Sequence, residues 1–463
     1  MNTPSTPLPQ HPLPAVELRT TEIRRRESEG EDLIVREHRF DAPLDYAAPE
    51  AGSIEVFARE LSTDRAEAED YPYLVYLQGG PGSGADRPTV LGGWLKRAME
   101  EFRVVLLDQR GTGLSTPLTA QTMPAGSVAE RSDYCTHFRA DNIVRDAETL
   151  RRALPASRGG ERPWTSLGQS YGGFCTLTYL SLHPEGLEAS LITGGLAAIT
   201  WPAEKVYRET YAATRRRNSL FFETYPEDAE RLREVVRHVA EVAEELPTGE
   251  RLTPERVLTV GIILGSSTGF HELHYLLEGA FVETADGQRL AAAFLEGLGR
   301  IVSLASHPLY GLMHESIYAN GPGAATNWAA ARVRAELPDF AADASEPLLT
   351  GEMIYPWQFA QDPALVPLAE VAEHLATRED WGPLYDVAAL ASNAVPVVGV
   401  VYTDDMFVPR SGSVETAGLV RGAQVIETDR YQHNGLREDG ALLLGQMLAA
   451  VRPDSAGDAG AKG

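Results

Sequence analysis

Cysteine is nearly absent from this chain: Cys135 and Cys175 are the two among 463 residues. That excludes a disulfide framework and fits a reducing compartment, the cytoplasm. Basic residues are also few, 41 Lys and Arg against 66 Asp and Glu, for a net charge of −25. Without a basic face to meet phosphates, nucleic acid is not an expected partner, and the acidic excess reads as a solvated surface. Long apolar runs are missing too. No window approaches about 18 uninterrupted apolar residues, so no membrane span is expected. Met1 to Pro14 is polar and proline-rich with no apolar stretch, which reads as a floppy terminus rather than a secretion signal.

What is present is ordinary soluble-protein composition, 43% hydrophobic and 23% charged, in a chain long enough for a large core and an inserted unit. Its focus is Gly168-Gln169-Ser170-Tyr171-Gly172, a G-x-S-x-G turn. It lies between an expected short strand, Trp164 to Leu167, and an expected helix, Gly173 to Leu180. That setting is the nucleophile elbow of serine hydrolases on an α/β sheet. Glycines flank the serine because side chains there would collide with the neighbouring strand or helix.

Ile34–Phe40 and Ser53–Leu61 roughly alternate apolar and polar residues, as edge strands do. Residues 15–30 are charged and weakly patterned. Tyr73–Leu77, Arg103–Leu107 and Ala189–Thr193 are continuous apolar runs, expected of strands covered on both faces. Helices are expected over Val90–Glu100 and over Asp141–Leu154, the latter capped by Asp141. Strand and helix alternate, the sign of a doubly wound α/β sheet. From about Lys205 to Ala344 the pattern turns helical: Ala229–Glu245, Pro254–Leu264, Glu272–Val282, Leu290–Leu304 and Ala329–Leu337. The sheet resumes with Val395–Tyr402 and Ala423–Thr428. A helix over Gly440–Val451 closes the chain, and Arg452–Gly463 reads as a disordered tail. The expected fold is α/β, a mostly parallel central sheet with an inserted helical cap. The core spans 30–204 and 351–455 and the cap 205–350, with a far boundary that extends to about 390.

A serine hydroxyl needs a base, and the base an orienting carboxylate, in the chain order Ser, Asp or Glu, His. Asp404 and Asp405 follow one late strand and His433 follows the last. Of eleven histidines, His433 is the one in such a post-strand loop. Asp405 is chosen over Asp404, which reads as a turn residue, a choice that rests in part on the family resemblance described next. The oxyanion needs two N–H donors: the Tyr171 amide, and Gly80 in the loop Gln78-Gly79-Gly80-Pro81-Gly82-Ser83-Gly84. That loop lacks the Gly-Lys-Ser/Thr of a phosphate cradle and the spacing of a dinucleotide fingerprint.

Gln78-Gly79-Gly80-Pro81-Gly82, Asp108-Gln109-Arg110-Gly111-Thr112-Gly113-Leu114-Ser115, the elbow and His433-Asn434-Gly435-Leu436 together resemble the prolyl aminopeptidases (proline iminopeptidases), in particular their longer bacterial branch. The resemblance covers most of residues 30–450, including His314–Tyr318 and Thr350–Trp357. It implies a serine peptidase that removes N-terminal proline from short peptides, with no metal and no cofactor. It also implies cap glutamates that hold the charged imino group; Glu315 and Glu352 are the candidates, Glu352 ahead. Tyr318, Trp328, Tyr355 and Trp357 either wall a pyrrolidine pocket or form cap core. The alternatives are an esterase, amidase or broader aminopeptidase with the same three side chains, and a hydrolase fold without activity used as a binding module.

Overall fold

The structure is a computed structural model that describes residues 8–27, 31–285 and 287–452. Nine strands form one sheet: β1 (Arg19–Arg25), β2 (Leu33–Pro43), β3 (Ser53–Thr63), β4 (Tyr73–Leu77), β5 (Arg103–Asp108), β6 (Trp164–Gln169), β7 (Leu187–Thr193), and, after a short hairpin of β8 (Phe281–Thr284) and β9 (Gly287–Leu290), β10 (Val397–Tyr402) and β11 (Ala423–Thr428). The order is β1-β2-β3-β5-β4-β6-β7-β10-β11. The first three strands and the β3–β5 pair are antiparallel. From β5 to β11 every neighbour is parallel.

The continuous apolar strands are explained by burial on both faces. Leu74 and Tyr76 of β4 pack with Leu443, Leu444 and Met447 of the closing helix. Tyr73, Val75 and Leu77 point the other way, toward Ile143, Val144 and Ala147 and toward Phe174 and Leu177. The alternation is intact, but both faces are lined with hydrophobic residues because both are covered.

Some expectations are corrected. Residues 15–30 contain β1, which the apolar pattern does not reveal because its face is held by ions: Arg19 bonds Asp41 at 3.0 Å and Glu22 accepts from Arg36 at 2.8 Å. The terminus is not floppy from residue 8 onward. Leu8 is buried, Gln10 donates to the Leu182 carbonyl and Arg145 to that of Pro9; residues 1–7 and the expected tail beyond Arg452 lie outside the described residues. The helix at 140–153 starts from Arg139, and Asp141 is not its cap; it sits in the first turn, bonded to Arg145 at 2.8 Å. The helix expected to run to Val282 ends at Glu278, and Phe281–Thr284 forms β8 instead. Pro254–Leu264 is an α-helix only to Leu258 and tightens to a 3₁₀ turn over Thr259–Gly265.

Between β7 and β10 the chain adds no strand to the large sheet. It is mostly helical, beginning with the long helix Ala203–Thr224, and it has apolar clusters of its own around Phe221, Val235 and Leu273 and around Tyr211 and Phe340. Among the described residues no helix is long and apolar enough to cross a membrane.

Candidate active site

The carboxyl end of β6 turns straight into the helix Tyr171–Leu182, and Ser170 is the hinge, at φ 54°, ψ −123°. A non-glycine residue held there is under backbone strain. Its amide is pinned to the Thr193 carbonyl at the end of β7. A Cβ on Gly172 would lie 1.9 Å from the Leu77 carbonyl oxygen, and one on Gly168 would lie 2.4 Å from that of Gly172. Both glycines are therefore demanded by contact, as the motif suggested.

Asp405 and His433 arrive from the ends of β10 and β11. His433 Nδ1 donates to Asp405 Oδ2 at 2.7 Å. A carboxylate can only accept, so Nδ1 carries a proton, and in the neutral imidazole Nε2 keeps its lone pair. The other oxygen, Oδ1, accepts from the amides of Phe407 at 2.8 Å and Val408 at 3.0 Å. Asp405 is thus fixed on both oxygens. Asp404 is exposed, and its charge acts on Arg217 rather than on His433. Burial alone would lower the pKa of His433, but the charge and hydrogen bond of Asp405, helped by Glu352, outweigh it and raise the pKa above the ordinary value.

Ser170 and His433 line one cavity of about 230 Å³, together with Gly79, Gly80, Phe407 and Glu352. Gly79 comes so close that a Cβ there would sit 3.0 Å from Ser170 Cβ. Gly80 has φ 132°. The Tyr171 amide opens its helix, so it has no intrahelical acceptor. Glu352 is half-buried in the wall, with Tyr310 donating to it at 2.9 Å. Burial raises its pKa to about 7, against the pull of His433 and Tyr310. Glu315 is not brought into this cavity. Its oxygens accept the amides of Ala329 and Ala330, at 3.1 and 2.9 Å, and so cap the helix Ala329–Ala335.

The four aromatic candidates divide. Tyr318 packs on Phe174 and His314, near Glu352. Trp328 packs on Phe359 and donates to Glu373. Tyr355 and Trp357 stack in an open groove of about 910 Å³ bounded by Arg233, Ala240, Pro338 and Pro347. That groove is larger but holds neither the serine nor a histidine, so it is not the chemical site.

Sequence reasoning missed four contributors. Tyr310 fixes Glu352. Gly194 and Gly195 follow β7, and Cβ atoms there would meet His433 Nδ1 at 3.2 Å and the Ser170 carbonyl at 2.4 Å; two glycines directly after a buried strand were the available signal. Gly265 accepts the His433 amide at 3.1 Å. Asp108 to Ser115 proves to be scaffold. Asp108 accepts from Ala85, Leu114 and Arg87, Gln109 holds the Gln78 carbonyl at 2.9 Å, and Arg110 is buried against Asp146. Among the described residues no group of three His, Cys, Asp or Glu is arranged to hold a metal.

A serine at a strained strand-to-helix turn, sharing a cavity with a carboxylate-bound histidine at the carboxyl edge of a parallel sheet, fits the α/β-hydrolase class, and residues 72–260 match the model of the alpha/beta hydrolase fold family. Proline iminopeptidase of Aeromonas sobria is 45% identical over 417 residues, 90% of this chain and 96% of that one. Proline iminopeptidase aneH of Aspergillus aculeatus is 32% identical over 419 residues, covering 89% and 92%. That of Xylella fastidiosa strain 9a5c matches over 138 residues only, at 31% identity, 29% of this chain and 36% of that one. The chain belongs to the proline iminopeptidase family.

Proposed function

We propose that this protein is a cytoplasmic serine aminopeptidase that releases N-terminal proline from short peptides. The observation that carries the chemistry is the 2.7 Å bond from His433 to Asp405, with the imidazole on the same cavity as Ser170. His433 Nε2 takes the proton of Ser170 as Oγ attacks the proline carbonyl. The oxyanion is held by the amides of Tyr171 and Gly80. The imidazolium then passes its proton to the departing amine, and the C–N bond breaks. Water, deprotonated by the same imidazole, cleaves the prolyl ester and frees proline and Ser170.

Specificity comes from the inserted region, a cap over about 205–390, on a core built from the sheet strands before and after it, β1 included. Glu352 pairs with the secondary ammonium of the substrate, as a desolvated cation requires. Glu315 is left out of that role because two amides already engage it. Cys135 and Cys175, both free and buried, fit a reducing compartment.

The test is hydrolysis of prolyl, alanyl and leucyl anilides and of a simple ester by wild type and by Ser170→Ala. Wild type is expected to favour the prolyl anilide, and Ser170→Ala to lose all turnover. Equal turnover of every substrate would leave a general esterase or amidase. Failure of a fluorophosphonate to label Ser170 would leave a binding module.

A further inference from the structure

Arg437 also lines the cavity that holds Ser170. It lies four residues after His433 on the short helix Gly435–Glu438, so the loop that presents the base also presents a guanidinium. Arg437 is exposed, and among the described residues it makes no ion pair and no side-chain hydrogen bond. Acidic residues are abundant in this chain, and Asp86 shares the neighbourhood of Tyr76 with Arg437, yet neither Asp86 nor Glu438 pairs with it. Apart from Glu352 and His433 the rest of the wall is neutral, Gln78, Ser83 and Asn434 included. The same cavity has a carboxylate in its wall, Glu352. One space of about 230 Å³ therefore holds one anion, one cation and the serine.

We propose that Arg437 binds the C-terminal carboxylate of the shortest substrates, making dipeptides with N-terminal proline the preferred class. This role rests on the aminopeptidase function proposed above. A dipeptide is a zwitterion, its ammonium and carboxylate separated by roughly 7 Å of extended chain. Glu352 takes the ammonium, Ser170 faces the peptide carbonyl between the two charges, and Arg437 takes the carboxylate in a charge-assisted bond. A longer peptide carries an uncharged amide at that position and gains nothing from the guanidinium. Arg437 stands at a solvated rim, so its contribution is moderate and sensitive to salt.

The test compares kcat/KM for prolyl-alanine as the free acid and as its C-terminal amide, with prolyl anilide as reference. The ratio of free acid to amide is expected to favour the free acid in wild type and to fall about tenfold in Arg437→Gln, mostly through KM. Arg437→Lys should return most of the ratio, and raised ionic strength should lower it in wild type. An unchanged ratio in Arg437→Gln, or an equal loss on both substrates, overturns the role of Arg437. Absence of prolyl anilide turnover by wild type would instead remove the aminopeptidase function itself, and this role with it.

Discussion

Two carboxylates beside the same cavity, Asp405 after a strand end and Glu352 in the segment inserted between β7 and β10, are held in opposite ways. Around the strand ends, every oxygen of Asp405 has a partner and the histidine is fixed by it. In the insertion, Glu352 has one bond, from Tyr310, and a pKa raised to about 7. Nearby, the buried hydroxyl of Tyr207 lacks a hydrogen-bond partner, and burial lowers the pKa of His314 to about 4. A satisfied network holds one geometry, and an unsatisfied one is suited to receive a ligand. In the function proposed above, the fixed carboxylate serves the chemistry and the open one serves recognition.

The largest effect should come from breaking the satisfied side. Asp405→Asn should lower kcat on prolyl anilide by about 10⁴-fold, because an amide at that position can hold the imidazole in the wrong tautomer. A loss of less than tenfold would mean that Asp405 does not orient the base.

Next comes the unsatisfied side. Glu352→Gln should lower kcat/KM for prolyl anilide by about 100-fold, the size of a truncated buried charge pair. Loss confined to kcat on all substrates alike would argue for a role in the chemistry rather than in recognition.

The pH profile tests both sides together. The base needs neutral His433, and the ammonium needs ionised Glu352, so both requirements fail as pH falls. Log kcat/KM should therefore drop with a slope approaching two below about pH 7. In Glu352→Gln the slope should relax to one. The limb should also move to lower pH, because a negative neighbour that raises the pKa of His433 is gone. For stability the sign is reversed. The folded state holds the Glu352 proton up to about pH 7 while the unfolded chain releases it near 4.5. Ionising Glu352 therefore costs stability across that window, so in thermal melts the stability of Glu352→Gln relative to wild type should grow as pH rises from 4.5 to about 7.

The smallest effect is the control within the insertion. Glu315→Gln removes part of a helix cap and should cost about 1 kcal/mol of stability, read from urea midpoints, with kcat/KM changed less than about threefold. A loss comparable to that of Glu352→Gln would restore Glu315 as a substrate ligand.

Much of this was legible beforehand, for reasons that differ by residue. Ser170 could be found because its turn forces glycines on both sides, and steric demand of that kind is written locally. Asp405 and His433 could be found because a parallel sheet delivers successive strand ends to one edge. Glu352 could be put only slightly ahead of Glu315, since both are glutamates in helical, aromatic surroundings. β1 escaped because its charged residues pair across strands, and ion pairing leaves no apolar period. Arg437 was invisible as a site residue, because one arginine in a charged helix looks like any solvated one.

The local pattern of apolar residues, glycines and turn formers determined the strands, the elbow and the order of the three reactive groups. These depend on backbone sterics and on the period of buried side chains, which act between near neighbours. Which glutamate is left open, which arginine stands unpaired and which glycines let the histidine loop approach depend on segments far apart in the chain. Only packing brings those together, so only the tertiary structure could decide them.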